Sequence, residues 1–539
     1  MKYPIGIQSF DRIREDGYVY VDKTALVYDL VTNGKVYFLS RPRRFGKSLL
    51  VSTLECYFRG QKELFEGLAI AELEKDWAEY PVFRIDFNGG DYTQPGELEN
   101  TIESYLQGWE AEYGTDSKDL TTGLRFQSIL RRAYQRTGHR AVILVDEYDK
   151  PILDVLDTNA YTYNDVGDKI LLEDRHRDIL KSFYSSFKSA DRDLQFVLLT
   201  GVTKFSQVSV FSGFNQPNDI SMDSRYEALC GITEQELTDN FSASIATLAD
   251  KEKVTIEEMK DALRRHYDGY HFGTAMTDIY NPFSILNAFD KQEIRDYWFA
   301  SGTPTYLIRL LNHNNEQINE LAGRYYDPAF FVDYKANVER PLPMIYQSGY
   351  LTIKDYDREM GEYLLDFPNN EVRKGFLSMI AANYMQTERM DVSSWLSSAV
   401  RLLKRGKTDE FRDALTAFLA DIPYDSHSSL NGMEMSEKHF QYTFYLLLRL
   451  IGVYCRAIHN ERRQSRGRVD CILEFDNYIY ILEFKMDGTP AEALKQIEER
   501  GYAQPYAADK RQVVCIGANF SSATRTVEGW EEIWRDSQS

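Results

Sequence analysis

The chain opens with short apolar runs set between amphipathic stretches. Val36-Tyr37-Phe38-Leu39 is one such run, and Val82-Phe83-Arg84-Ile85-Asp86-Phe87 alternates with the period of a strand. Ala141-Val142-Ile143-Leu144-Val145 and Phe196-Val197-Leu198-Leu199 are continuously apolar. Continuous runs suit strands buried on both faces, with helices crossing between them. This alternation predicts an α/β architecture whose sheet is mostly parallel.

The pattern then changes. Helix-like segments surround loops such as Tyr267-Asp268-Gly269-Tyr270 and Tyr280-Asn281-Pro282-Phe283. Short strands are expected around Tyr350-Leu351-Thr352-Ile353 and Tyr363-Leu364-Leu365. Together they predict a small helical, winged-helix-like lid. A further helical stretch follows, and a long helix from Glu437 to Gly452 leads into a strand-rich segment and a final helix. The expected division is 1–244 for a nucleotide-type α/β domain, 245–365 for the lid, 366–425 for a helical connector and 426–539 for a second α/β domain. No Pro/Gly/Ser linker marks these boundaries.

Composition narrows the classes. A chain of 539 residues is long enough for more than one core. With 43% hydrophobic and 27% charged residues it is not predominantly disordered. The net charge of −20 argues against a nucleic-acid coat protein or a basic membrane-surface protein, but leaves room for a local basic groove. Five widely spaced cysteines without a CxxC pair argue against a disulfide framework and a zinc site, and fit a reducing cytoplasm. No run is long and apolar enough to span a bilayer, and the first residues lack a signal-peptide pattern, so no membrane partner is expected.

The first chemical signal follows the run at 36–39. Ser40-Arg41-Pro42-Arg43-Arg44-Phe45-Gly46-Lys47-Ser48 leads directly into a helical stretch. Strand, loop, Gly-Lys-Ser and helix is the context in which backbone amides cradle phosphates. Lys47 would reach the β- and γ-phosphates and Ser48 would ligate Mg²⁺. Arg41 stands where such loops usually carry their first glycine, so a basic surface loop remains the alternative. A second run ends in Asp146-Glu147-Tyr148-Asp149. There Asp146 would hold Mg²⁺ and Glu147 would polarise the attacking water. The candidate nucleotide site is Arg43, Arg44, Phe45, Gly46, Lys47, Ser48 and Leu49 with Asp146, and Glu147 is its catalytic candidate. Arg43 and Arg44 either stabilise phosphate charge, in cis or between protomers, or are solvated cations. Thr200, ending a third run, either senses the γ-phosphate or is satisfied locally.

The second signal is Gly467-Arg468-Val469-Asp470-Cys471-Ile472-Leu473-Glu474-Phe475-Asp476-Asn477-Tyr478-Ile479-Tyr480-Ile481-Leu482-Glu483-Phe484-Lys485. Asp476-Asn477 suits a two-residue turn. Placing these two opposite each other sets Asp470 opposite Glu483, with Cβ atoms ~4.5–5.5 Å apart. Lys485 then lies on the same face. Two opposed carboxylates repel, and a divalent cation removes that cost while activating water at a phosphodiester. The alternative is a surface ion cluster neutralised by Lys485 or Arg468. Arg462, Arg463, Arg466 and Arg468 form either a basic approach to a polyanion or a solvated loop.

These residues carry a resemblance. Pro42-Arg43-Arg44-Phe45-Gly46-Lys47-Ser48, Asp146-Glu147-Tyr148-Asp149, Thr200-Gly201-Val202-Thr203-Lys204-Phe205 and Tyr20-Val21-Asp22-Lys23-Thr24 resemble the AAA-ATPase-like family of bacterial proteins. Asp470 with Glu483-Phe484-Lys485 resembles the PD-(D/E)XK nuclease superfamily. Glu437 matches that superfamily's helix carboxylate, and Gln496 a frequent polar residue on the following helix. The resemblance implies a P-loop core, a restriction-endonuclease-like C-terminal domain, and ATP and Mg²⁺ as cofactors, with Mn²⁺ an alternative at the nuclease site. It implies Asp470, Glu483 and Lys485 as catalytic residues, with Asp470, Glu483 and Glu437 as metal ligands. The expected partner beyond ATP is nucleic acid, DNA in preference to RNA, and a homo-oligomer is allowed. Three functions compete: an ATP-controlled nuclease, a signal-transducing ATPase switch, and a binding module that does not cut.

Overall fold

The computed structural model describes residues 1–164, 166–204, 217–300, 307, 321–332, 341–385, 389–421, 437–464, 467–524 and 526–535. They form two compact units, Met1–Val372 and Arg373–Ser539. No helix among the described residues is long and apolar enough to cross a membrane.

The first unit is built on a parallel sheet of β1 (Val36–Ser40), β2 (Val82–Asp86), β3 (Ala141–Asp146), β6 (Leu194–Gly201) and β7 (Asn218–Asp219). Their spatial order is β2-β3-β6-β1-β7. Every residue of β3 is buried, and β6 is buried at all but one position, as their uninterrupted apolar sequences require. A small antiparallel hairpin, β4 (Tyr161–Tyr163) and β5 (Lys169–Leu171), interrupts the chain between β3 and β6. The order matters because β6 lies between β1 and β3. The ends of these three strands therefore converge on one edge, where α/β sheets place their ligands.

The rest of the unit is mostly helical. Leu237, Phe241, Ile245, Met259, Leu263, Tyr267, Ile285 and Phe289 form its core. Two small antiparallel sheets complete it: β8 (Ile232–Thr233) with β9 (Ile279–Tyr280), and a three-stranded sheet in which β12 (Glu362–Asp366) lies between β10 (Arg324–Tyr326) and β11 (Thr352–Asp357). The Tyr20–Thr24 segment is tied into this framework. Lys23 pairs with Glu236, and Asp22 caps Thr24 through both its amide and its hydroxyl.

The second unit carries the helices Arg389–Lys404, Thr408–Ala420 and Glu437–Gly452 beside one mixed sheet. That sheet runs in spatial order β13 (Ala457–Gln464), β14 (Gly467–Glu474), β15 (Tyr478–Met486), β16 (Gln512–Ser521) and β17 (Thr526–Arg535). β15 and β16 are parallel and joined by the helix Pro490–Arg500. Thr489-Pro490-Ala491-Glu492 starts this helix with a capping box and proline in its first turn. Ile472, Ile479 and Ile481 bury against Leu494 and Ile497 of the helix. The face bearing the acid pair is thus itself an apolar core away from the two carboxylates.

Candidate active sites

The loop between β1 and the helix Lys47–Phe58 ends in Gly46, whose φ of +94° is the left-handed conformation that glycine adopts without strain. The helix N-terminus presents unpaired amides to this loop. Lys47 is buried; its Nζ donates to the carbonyls of Arg41 at 3.1 Å and Pro42 at 3.3 Å, and lies 3.6 Å from Glu147 Oε1. Ser48 and Leu49 are half-buried in the first helical turn, while Arg43 and Arg44 are exposed. Arg44 lies over the Phe283 ring. The ring of Phe45 is buried edge-on against Tyr270 and Phe272.

Arg41 explains the absent glycine. Its guanidinium is buried, donates to the carbonyls of Ser40, Ser221 and Tyr226, and lies 4.1 Å from the centroid of Phe272. The side chain is an anchor for the loop.

At the end of β3, Asp146 is buried and accepts the Thr200 hydroxyl at 2.7 Å. Thr200 is thus satisfied by the carboxylate it would help to orient. Glu147 follows with φ +54°, a strained conformation for this residue type, beside Lys47. Asp149 Oδ2 accepts the amides of Val202 and Thr203 and the Thr203 hydroxyl, clamping the turn after β6 to the turn after β3. Burial and the neighbouring Glu147 push Asp149 above the usual carboxylate range. Asp86 was not singled out by sequence reasoning. It ends β2 directly opposite Asp146, and burial, with Asp146 also contributing, raises its pKa. Its only sequence signal was its place at the end of an alternating strand.

In the second unit, the β14–β15 register is the one that the turn demanded. Cys471 pairs with Leu482 and Leu473 with Tyr480, and Phe475 N–H donates to Tyr478 O at 2.8 Å across Asp476-Asn477. Beyond Cys471 the side chains take over from the ladder. Asp470 Oδ2 accepts the Phe484 amide at 2.9 Å, and the Asp470 amide points to Glu483 Oε2 at 3.4 Å. Glu483 is 2% exposed, and burial together with Asp470 pushes its carboxyl up to about 7. Gln496 donates to Glu483 Oε1 and accepts from Lys485 Nζ at 2.7 Å. Lys485 Nζ lies 3.8 Å from Glu483 Oε1. A groove of about 690 Å³, lined in part by Lys485, Lys495, Gln496, Arg500 and Tyr502, opens on this corner.

A carboxylate pair in which one acid is buried and pushed up by the other is an oxygen donor set short of positive charge. Such a set fits a divalent cation. Glu437 opens its helix, but its side chain lies outside the described residues, as do the side chains of Arg462, Arg463, Arg466 and Arg468 and the whole of Phe205. Among the described residues no group of three or more His, Cys, Asp or Glu converges as a metal site.

Fold and site together define a P-loop protein with a restriction-endonuclease-like domain. A family model described as Predicted AAA-ATPase matches residues 4–211, and a PD-(D/E)XK nuclease superfamily model matches residues 435–530. The chain is also 37% identical over 536 residues to a protein of Azotobacter chroococcum mcd 1 described as an uncharacterized protein in the vnfD 5′ region, covering 98% of each. The chain belongs to the AAA-ATPase-like family and carries a C-terminal PD-(D/E)XK nuclease superfamily domain.

Proposed function

We propose that this protein binds ATP at the Arg43–Leu49 loop and hydrolyses phosphodiester bonds of DNA at Asp470, Glu483 and Lys485, with nucleotide state controlling cleavage or assembly. The observation that carries the nuclease reading is the buried Glu483 facing Asp470, with Lys485 at 3.8 Å. Asp470 and Glu483 would hold Mg²⁺ or Mn²⁺, which would supply Lewis-acid stabilisation of phosphate charge. Lys485 directs an ammonium toward the water that attacks phosphorus and toward the charge that builds there. The new bond joins water oxygen to phosphorus, the bond to the leaving sugar oxygen breaks, and the proton that the water gives up passes through solvent to that leaving oxygen. Gln496 fixes the orientation of both Glu483 and Lys485.

At the nucleotide site, phosphate would draw Lys47 away from the Arg41 and Pro42 carbonyls and from Glu147, leaving Glu147 to polarise water. Ser48 and Asp146 would hold Mg²⁺ there. A second reading, an ATPase switch whose nuclease-like domain binds without cutting, is favoured by how extensively residues after β6 grip the loop at Arg41, Phe45 and Arg44.

The test is cleavage of supercoiled plasmid with Mg²⁺ or Mn²⁺, with and without ATP, beside Glu483→Ala and Lys47→Ala. Cutting by the wild type that is lost in Glu483→Ala supports the nuclease. ATP-dependent assembly without cutting under any condition supports the switch.

A further inference from the structure

A phosphate loop works only if its amides point inward, and a trans peptide fixes the amide opposite the preceding carbonyl. Two carbonyls of this loop are held from outside. The indole Nε1–H of Trp298 donates to Arg43 O at 3.1 Å, and the amide of Gly231 donates to Phe45 O at 3.1 Å. Each bond therefore points the next amide, that of Arg44 and that of Gly46, in the opposite direction within its peptide plane. The donors lie far along the chain, and each is held in turn. Gly231 has φ +98°, and a Cβ there would collide with Ile279 Cγ2, so only glycine brings this amide to the loop. Trp298 is buried, and its backbone amide donates to Glu371 Oε1 at 2.6 Å, while Glu371 Oε2 accepts the Ser284 hydroxyl at 2.8 Å.

We propose that Trp298 and Gly231 are positioning residues for phosphate binding: they pin the Arg43 and Phe45 carbonyls outward and so pre-aim the Arg44 and Gly46 amides at the β- and γ-phosphates of a bound nucleotide. The anchor that a short glycine loop lacks is supplied here by the helical region that follows the sheet. The inference rests on the nucleotide-binding reading of the loop. Because coupling is reciprocal, nucleotide bound at the loop also tightens the Gly231 and Trp298 bonds.

The experiment titrates Mg–ADP and inorganic pyrophosphate into the full chain and into Trp298→Phe, which keeps a ring but removes the donor. The expected result is a loss of about three- to tenfold in affinity, the scale of one neutral hydrogen bond. Both ligands should lose it equally, because the phosphates and not the base are held. The thermal midpoint without ligand should stay near that of the wild type, which separates positioning from a general loss of structure. Undiminished affinity in a folded Trp298→Phe overturns the inference, as does a loss for Mg–ADP that spares pyrophosphate. An arm that needs no variant is hydrogen exchange of the Cys230–Ile232 amides, expected to slow when Mg–ADP binds the wild type. An unchanged rate despite measured binding overturns the reciprocal clamp. Failure of the wild type to bind either ligand would instead overturn the nucleotide reading itself.

Discussion

Gln496 and Glu483 are hydrogen-bonded side chain to side chain, and the same glutamine amide accepts Lys485 at 2.7 Å through its oxygen. One residue on a crossover helix therefore sets the geometry of two on a strand. Gln496→Ala is expected to lower cleavage by about tenfold or more, since orientation of catalytic groups is worth that order. It should leave the fold near wild-type stability. Plasmid nicking rates alongside thermal melts check it.

The raised Glu483 carboxyl gives a pH dependence. Its pKa goes from 4.5 to about 7 in the folded protein, so the native state holds this proton more tightly than the unfolded chain. The associated stability is fully present below pH 4.5 and is lost as pH rises through 7. Glu483→Gln should therefore raise the thermal midpoint at pH 8 and leave it nearly unchanged at pH 4. Mn²⁺ affinity of the wild type should climb with pH up to about 7 and then level, because the cation competes with the same proton. Calorimetric titration across pH reads both effects; a flat Mn²⁺ profile would contradict the assignment of Glu483 as a ligand.

Thr200 gives a prediction at the other site. Its hydroxyl is the donor that aims Asp146 Oδ1. Thr200→Val keeps the shape and removes the bond. Nucleotide affinity in the presence of Mg²⁺ should fall by about ten- to a hundredfold, the value of one bond to a charged group, with little change in EDTA. An equal loss with and without Mg²⁺ would assign Thr200 to phosphate contact instead.

Close packing at Gly517 supplies a stability prediction. Glu483 pairs with Gly517 across β15 and β16, and a Cβ at Gly517 would run into the Pro490 carbonyl and Leu494. Gly517→Ala should cost about 1–3 kcal/mol by forcing the helix Pro490–Arg500 outward. Because that helix carries Gln496, cleavage should fall with it. Denaturant midpoints and nicking rates measured on one preparation would reveal whether the two losses travel together.

Much of this was legible in the chain. The long apolar runs became β3 and β6, and the two-residue turn alone set Cys471 opposite Leu482 and so brought Asp470 beside Glu483, since the side-chain period of a strand leaves no freedom once a turn is set. The pattern Glu437–Gly452 became a helix with those limits. What escaped were relationships made by distant residues. Nothing local marks Trp298 as a donor to a carbonyl 255 positions away, nor Gly231 as the amide that only glycine could bring close. Asp86 escaped for a related reason: strand order, which sets its neighbour, is decided by the packing of the whole sheet.

Arg41 has a consequence for anyone who edits or searches for this family. A template that insists on glycine at the first loop position passes over the chain, and a consensus-guided repair would replace the arginine. That repair would strip the carbonyls of Ser40, Ser221 and Tyr226 of their shared donor and leave a guanidinium-sized void beneath Phe272. Here the departure from the common motif is the keystone of the loop, and restoring the motif would collapse the arch it supports.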